Sequence, residues 1–300
     1  GYSTSAPALF SFNENVSISN LIPWNNIGAY LLDNATTVLL NSQTGEKVAH
    51  FVDRDAFDLN YGHPRLEPDL LILQPGHILE FNTTYIIGVR NLISEGSGDF
   101  VQPSPAFKAL RDHQSFGSVL EDFGLSEQRV RKYNELVFPK LQLAGFRREE
   151  LQLAFYFTTT SREESLGRFE YMRDKTMEEM DPLGPPNFGI IRVDSNSCPS
   201  DGPISNHTST HIAKVIHGYF MTTNWLVHPG PGPKSYMTMT VSDTTPSVGI
   251  KGMPFKNGLA KVNFMIQIPC SLYRAKKPAS MILQYGHGLF GSRRESEDHY

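Results

Sequence analysis

Two cysteines and two tryptophans are all that 300 residues hold of either type. Cys198 and Cys270 lie too far apart for a Cys-x-x-Cys redox or zinc motif; in an oxidising compartment they are expected to pair as one disulfide, the alternative being two buried thiols. No apolar run approaches the roughly 18 residues that span a bilayer, so no transmembrane helix is expected. Neither sign of charge dominates: 27 Lys and Arg against 31 Asp and Glu leave a net charge of −4, which provides no footprint for nucleic acid. Runs such as Arg147–Glu150 and Arg293–Asp298 mix both signs, as solvated faces do. No Walker or dinucleotide glycine pattern is present, and no cofactor is expected. His207 and His211 stand four apart in a Ser/Thr-rich loop without an HExxH glutamate, so no metal is expected either. The opening Gly-Tyr-Ser-Thr-Ser-Ala-Pro lacks a basic or apolar leader region; a leader is expected to have been removed.

What the chain does contain leans towards β structure. Nineteen Phe, 12 Tyr, 20 Pro and 24 Gly suit packed cores joined by many turns. Four Asn-x-Ser/Thr sequons, at Asn15, Asn34, Asn82 and Asn206, argue for a secreted glycoprotein. Residues 1–112 read as a β domain. Thr37–Leu40 and Val48–Val52 flank the Gln43-Thr-Gly-Glu46 turn, Leu70–Leu73 ends at Pro75-Gly76, Tyr85–Val89 follows Asn82-Thr-Thr84, and Ala106–Leu110 closes the region. The spacing suggests a sandwich. Residues 113–181 read as helix, strand, helix. Ser126 caps a helix whose face is Val130, Tyr133, Val137 and Leu141; Pro139 should kink or end it and Gly145 stop it. Leu151–Phe157 alternates as a strand. The Ser161–Glu164 capping box opens a helix to about Met180, with Leu166, Phe169, Met172 and Met180 towards its buried side. The Pro/Gly-rich run 181–187 is the strongest boundary. Residues 182–300 form a second β region, with strands at Gly189–Val193, Ile212–Phe220 and Val262–Ile268.

The last strand expected is the apolar run Met281–Tyr285. It breaks into a loop in which Gly286, Gly288 and Gly291 fall within six residues; glycine there lets a ligand approach the main chain closely. This strand followed by Gly286-His-Gly-Leu-Phe-Gly291 resembles the oxyanion loop of α/β-hydrolase lipases and esterases. Residues 1–112 also resemble, more loosely, the Ig-like domains that precede some extracellular hydrolases. The resemblance implies an incomplete α/β-hydrolase-like sheet within 182–300, and acyl transfer through a serine ester on an ester or lipid substrate. It assigns an oxyanion-hole N–H to Leu289 and the shaping of the loop to His287, Gly288 and Gly291. No Gly-x-Ser-x-Gly elbow occurs, and residues 1–300 alone are not expected to be catalytic. In the resembling enzymes serine, acid and histidine follow the oxyanion loop, so all three are expected after Tyr300. The alternative is a non-catalytic extracellular glycoprotein that keeps a hydrolase-like segment. Either way an apolar strand needs a cover, from the rest of the same polypeptide or from a second chain.

Overall fold

A computed structural model describes residues 1–55, 70–112, 118–180, 184, 186–198, 211–228, 237, 252–275 and 278–286. The chain is mixed α and β, its sheets are antiparallel, and it divides into two compact units, Gly1–Ser165 and Leu166–Tyr300. The proline-rich run 181–187 lies mostly outside the described residues.

The first unit is built in layers. One sheet has the order β1 (Ala8–Phe10), β5 (Leu71–Pro75), β4 (His50–Arg54); the other runs β3 (Lys47–Val48), β2 (Thr37–Asn41), β6 (Thr84–Arg90), β7 (Leu151–Thr158). Phe10, Val52, Leu71 and Leu73 from the first sheet share a core with Leu39, Tyr85, Ile87 and Val89 from the second. Strand side chains alternate between faces, so Val38, Leu40, Ile86 and Ala154 point the other way, into a second core roofed by helices. The four-stranded sheet is therefore buried on both sides. The stretch Val48–Val52, expected as one strand, is two: β3 pairs with β2 and β4 with β5. Ala49 is the corner between the sheets, and its carbonyl accepts from Gly76 N–H at 2.8 Å. Gly45, in the hairpin turn, has φ +80°, a conformation glycine adopts without strain.

Ala106–Leu110 is not a strand but the middle of α1 (Pro105–Asp112). Ser104 Oγ accepts from Phe107 N–H at 3.2 Å and caps it, Pro105 suits a first helical position, and Phe107, Ala109 and Leu110 are buried against the second core. A short helix, α2 (Ser118–Asp122), follows. Ser126 caps α3 (Glu127–Lys132) by accepting from Arg129 N–H, and Val130, Tyr133, Val137 and Leu141 are all buried. Pro139 does not end this helix. The turn Tyr133–Val137 widens to π geometry and α4 (Phe138–Leu143) continues; the widened turn accommodates the N–H that proline lacks. Gly145, at φ +87°, stops it: Gly145 N–H donates to Gln142 O and Phe146 N–H to Leu141 O, the paired bonds of a Schellman end.

Arg90 ties this unit together from inside. Its guanidinium donates to the carbonyls of Ala35, Gly145 and Asp33, pairs with Glu150 at 3.0 Å, and lies 4.0 Å over the Phe146 ring. Arg147, and then Arg90, hold the Glu150 carboxyl below its ordinary range. Gln152 substitutes for a neighbouring strand: its amide accepts from Leu92 N–H and donates to the carbonyls of Leu92 and Val101.

The second unit is differently made. Helix α5 (Arg162–Met180) begins within the first unit, at the expected cap, Glu164 N–H donating to Ser161 Oγ at 3.1 Å, and from Leu166 on belongs to the second. It buries none of its side chains fully, and Phe169, expected towards a core, is 63% exposed. Trp225 donates to Thr176 Oγ1 and packs edge-on to Tyr171. A three-stranded sheet runs β8 (Phe188–Ser195), β9 (Ile212–Thr223), β10 (Leu259–Pro269) in the order β10–β9–β8. Its register puts Phe188, Ile190, Val193, Ile216, Phe220, Val262, Phe264 and Ile266 on one face. That face is open: Phe188 is 65% exposed and Ile266 49%. Cys198 and Cys270, at the ends of β8 and β10, form the expected disulfide, with α6 (Cys270–Ala275) following directly.

Candidate functional site

The residues assigned to the oxyanion loop, His287, Gly288, Leu289 and Gly291, lie outside the described residues, as does Asn206. The run leading to them is described. Met281–Gly286 is not a strand and joins no sheet among the described residues, contrary to expectation. Met281, Ile282 and Leu283 stand out to solvent, Ile282 at 90%. The physical reason is that strand residues are held by cross-strand partners, and no described strand is laddered to this run.

The other expected site residues are distributed over the surface. Asn34 is exposed in the turn ahead of β2 and Asn82 on the turn into β6, at φ +49°; Asn15 is half-buried. Among the described residues no group of three or more His, Cys, Asp and Glu is arranged to hold a metal. Of the two histidines four apart, His207 lies outside the described residues and His211 is half-buried.

Concavity lies elsewhere, in the first unit, where a cleft of about 350 Å³ opens beside the β2–β3 hairpin. Its polar lining is Asn41, Glu46, Lys47, His77 and Glu80; its apolar wall is Leu31, Val48 and the Tyr85 ring. Asn41 and Tyr85 are register partners in β2 and β6, which fixes the floor. Asn41 Oδ1 accepts from Gln43 and Thr44 N–H, while its Nδ2 reaches Glu80 Oε2 at 3.4 Å. Tyr85 OH accepts from Glu80 N–H at 3.0 Å, and burial pushes the phenol up, so it stays protonated. Lys47 turns aside to Asp33 at 2.7 Å. No serine, threonine or cysteine is among the residues that line the cleft.

Behind the cleft wall lies a buried aromatic pair. Tyr30, on the 3₁₀ segment Trp24–Leu31, stacks on His50 of β4 with ring centroids 4.3 Å apart. His50 is fully buried. Its Nδ1 lies 2.8 Å from Val48 O and its Nε2 2.8 Å from Thr37 Oγ1. A carbonyl only accepts, so Nδ1 carries the proton and Nε2 accepts from the threonine hydroxyl, which makes the ring neutral. Burial lowers its pKa to about 4. In the sequence the one signal of this pair is His50 on the same strand face as the buried Val52.

On the polar face of the second sheet Arg192 Nε meets Asp194 Oδ2 at 2.8 Å, and Arg192 Nη2 meets His217 Nε2 at 3.0 Å. His217 Nε2 also lies 3.4 Å from Asp194 Oδ2. Arg192 and Asp194 thus meet the same imidazole nitrogen, and the three side chains form a charge cluster on this face. No family model matches the chain, and no curated protein matches it.

Proposed function

We propose that this chain is the N-terminal portion of a secreted serine hydrolase of esterase or lipase type. In this reading an Ig-like β domain precedes a catalytic sheet that begins at Met281. The observation that carries the reading is the apolar run Met281–Leu283, which is exposed to solvent, lies outside every described sheet, and leads through Gln284 and Tyr285 into Gly286-His-Gly-Leu-Phe-Gly291. Such a run needs a sheet, and a sheet around it would present the loop at a strand end. There the Leu289 N–H donates to the oxyanion of a tetrahedral intermediate while His287, Gly288 and Gly291 shape the turn. Serine, acid and histidine follow in the polypeptide after residue 300. The Cys198–Cys270 disulfide and the exposed Asn34 and Asn82 support an extracellular setting. The test is labelling of the natively produced protein with a serine-reactive fluorophosphonate, alongside its intact deglycosylated mass. We expect a species well above 33.7 kDa that takes the label. A labelled serine within residues 1–300 would overturn the assignment. A mass equal to residues 1–300 with no labelled species would replace it by a non-catalytic extracellular glycoprotein.

A further inference from the structure

The segment Ile22–Leu31 lies as a strap across the first unit, and it is held by few anchors. Tyr30 is the one buried side chain of Trp24–Leu31. Its hydroxyl is 3.1 Å from Ile22 N and accepts that N–H, closing the strap on itself, while its ring rests on His50. Trp24 is 80% exposed, and Leu31 stands half in the cleft as part of its wall. The strap's one fully buried seat on the sheet is the Tyr30–His50 contact, with Leu21 and Ile22 packing at its start and Ile27 lying at the Ala49–Gly76 corner.

We propose that His50 is an acid-sensitive latch: when its ring takes up a proton the strap Ile22–Leu31 lifts from the sheet and the cleft walled by Leu31 opens.

The surroundings of the ring disfavour a second proton. Nδ1 already donates to Val48 O, so the proton goes to Nε2, where the Thr37 hydroxyl must turn from donor to acceptor and the charge stays buried. From the strap, the titratable group against the ring is the Tyr30 phenol, held up by burial and with Asp53 of β4 acting on it. From β2 it is faced by Thr37; from β3 by the Val48 carbonyl, while Lys47 is drawn off to Asp33. Across the β4–β5 ladder its partner is Pro75, which cannot donate or ionise. Along its own strand Arg54 pairs with Glu95. No carboxylate is among its hydrogen-bond partners, so the imidazolium would be a buried charge without a counter-ion.

The sign follows from linkage. Folded, His50 titrates at about 4; with the strap lifted and the ring wetted it returns towards the ordinary value of about 6.5. Between these values the lifted state binds more protons, so the seated strap loses stability as pH falls and regains it as pH rises. One proton coupled to one opening raises the opening constant by up to about tenfold per pH unit within that window.

Hydrogen exchange of the whole chain at a series of pH values, corrected for intrinsic rates, reads this directly. The amides of Asn26 and Leu32, bonded to Pro23 and Ala29 carbonyls, should lose protection steeply from about pH 6.5 to 4, while those of β2 and β6 keep theirs. In His50→Gln, which cannot take up the proton, the strap should show no such pH dependence. Should that variant not fold, an NMR titration of the His50 ring in the unaltered protein decides. A ring that titrates near 6.5 with the strap still protected overturns the latch. So does flat strap protection across the window, or loss of β2 and β6 protection in step with the strap, which is global unfolding. None of these outcomes depends on hydrolase activity.

Discussion

Gly88 shows how tightly the first unit is built at the scale of single residues. It sits mid-strand in β6, paired with Val38 and Ala154, and a Cβ there would come 2.8 Å from Leu141 Cδ2 and 3.3 Å from Val38 Cγ1. Leu141 is fully buried in the helical roof, so the glycine is what allows the roof to lie this close to the sheet. Gly88→Ala trades a better strand propensity against overpacking of a filled core, a class of change that costs about 1–3 kcal/mol. Because the clash is with the tip of one leucine, we expect the lower half of that range in urea unfolding. Relief should come from Leu141→Val in the same chain: the double variant should lose less than the two single losses added. Strict additivity would show that the roof shifts as a body and that Leu141 is not the point of contact. Gly218 in the second unit is crowded too, with Phe264 Cζ 2.4 Å and the Gly189 carbonyl oxygen 2.8 Å from the position of its missing Cβ; the ring can swing, but the strand backbone cannot.

At the scale of elements, hydrophobic period and capping chemistry made much of the first unit legible. Strands at Thr37–Asn41, Thr84–Arg90 and Leu151–Thr158, and the Ser126 cap with its Val130–Leu141 face, follow from local patterns that the tertiary structure reinforces. The failures occur where a five-residue apolar run fits two periods. Ala106–Leu110 satisfied a strand pattern, and only Ser104-Pro105 ahead of it distinguished a helix start. Met281–Tyr285 satisfied the same pattern, but a strand also requires neighbours, and these do not follow from its own residues. The cysteines are a different kind of element, a covalent link between the ends of β8 and β10 across 72 residues. Closing a loop of that length removes enough unfolded-chain entropy to be worth about 4 kcal/mol in the chain-entropy model. Cys198→Ser with Cys270→Ser should therefore lower the unfolding midpoint of Leu166–Tyr300 and leave that of Gly1–Ser165 unchanged, followed by hydrogen exchange of peptides from each unit. An equal fall in both would mean that the two units unfold as one.

The two units of the molecule differ in how much apolar surface they remove from water. In Gly1–Ser165 the central sheet is covered on both faces and two contiguous cores hold the strands and helices together. In Leu166–Tyr300 the apolar side chains buried among the described residues are Ala213, Pro254 and Cys270, while Phe169, Phe188, Ile190, Ile191, Leu259 and Ile282 are all more than half exposed. This asymmetry also explains why the candidate site was only half legible in the sequence. The glycine-rich loop was visible in the order of its residues, but the sheet that would make it a site is a matter of what covers Met281–Tyr285. Burial contributes about 25 cal/mol per Å² of apolar area, and a unit that leaves its largest side chains in water forgoes most of that while still ordering its backbone. Produced separately, residues 1–165 should be monomeric and unfold cooperatively in urea. Residues 166–300 should bind a hydrophobic dye such as ANS and either self-associate or lack a cooperative transition. Cooperative, dye-free, monomeric unfolding of 166–300 would show that its apolar face is covered within the unit, and would remove the need for a covering layer on which the hydrolase reading depends.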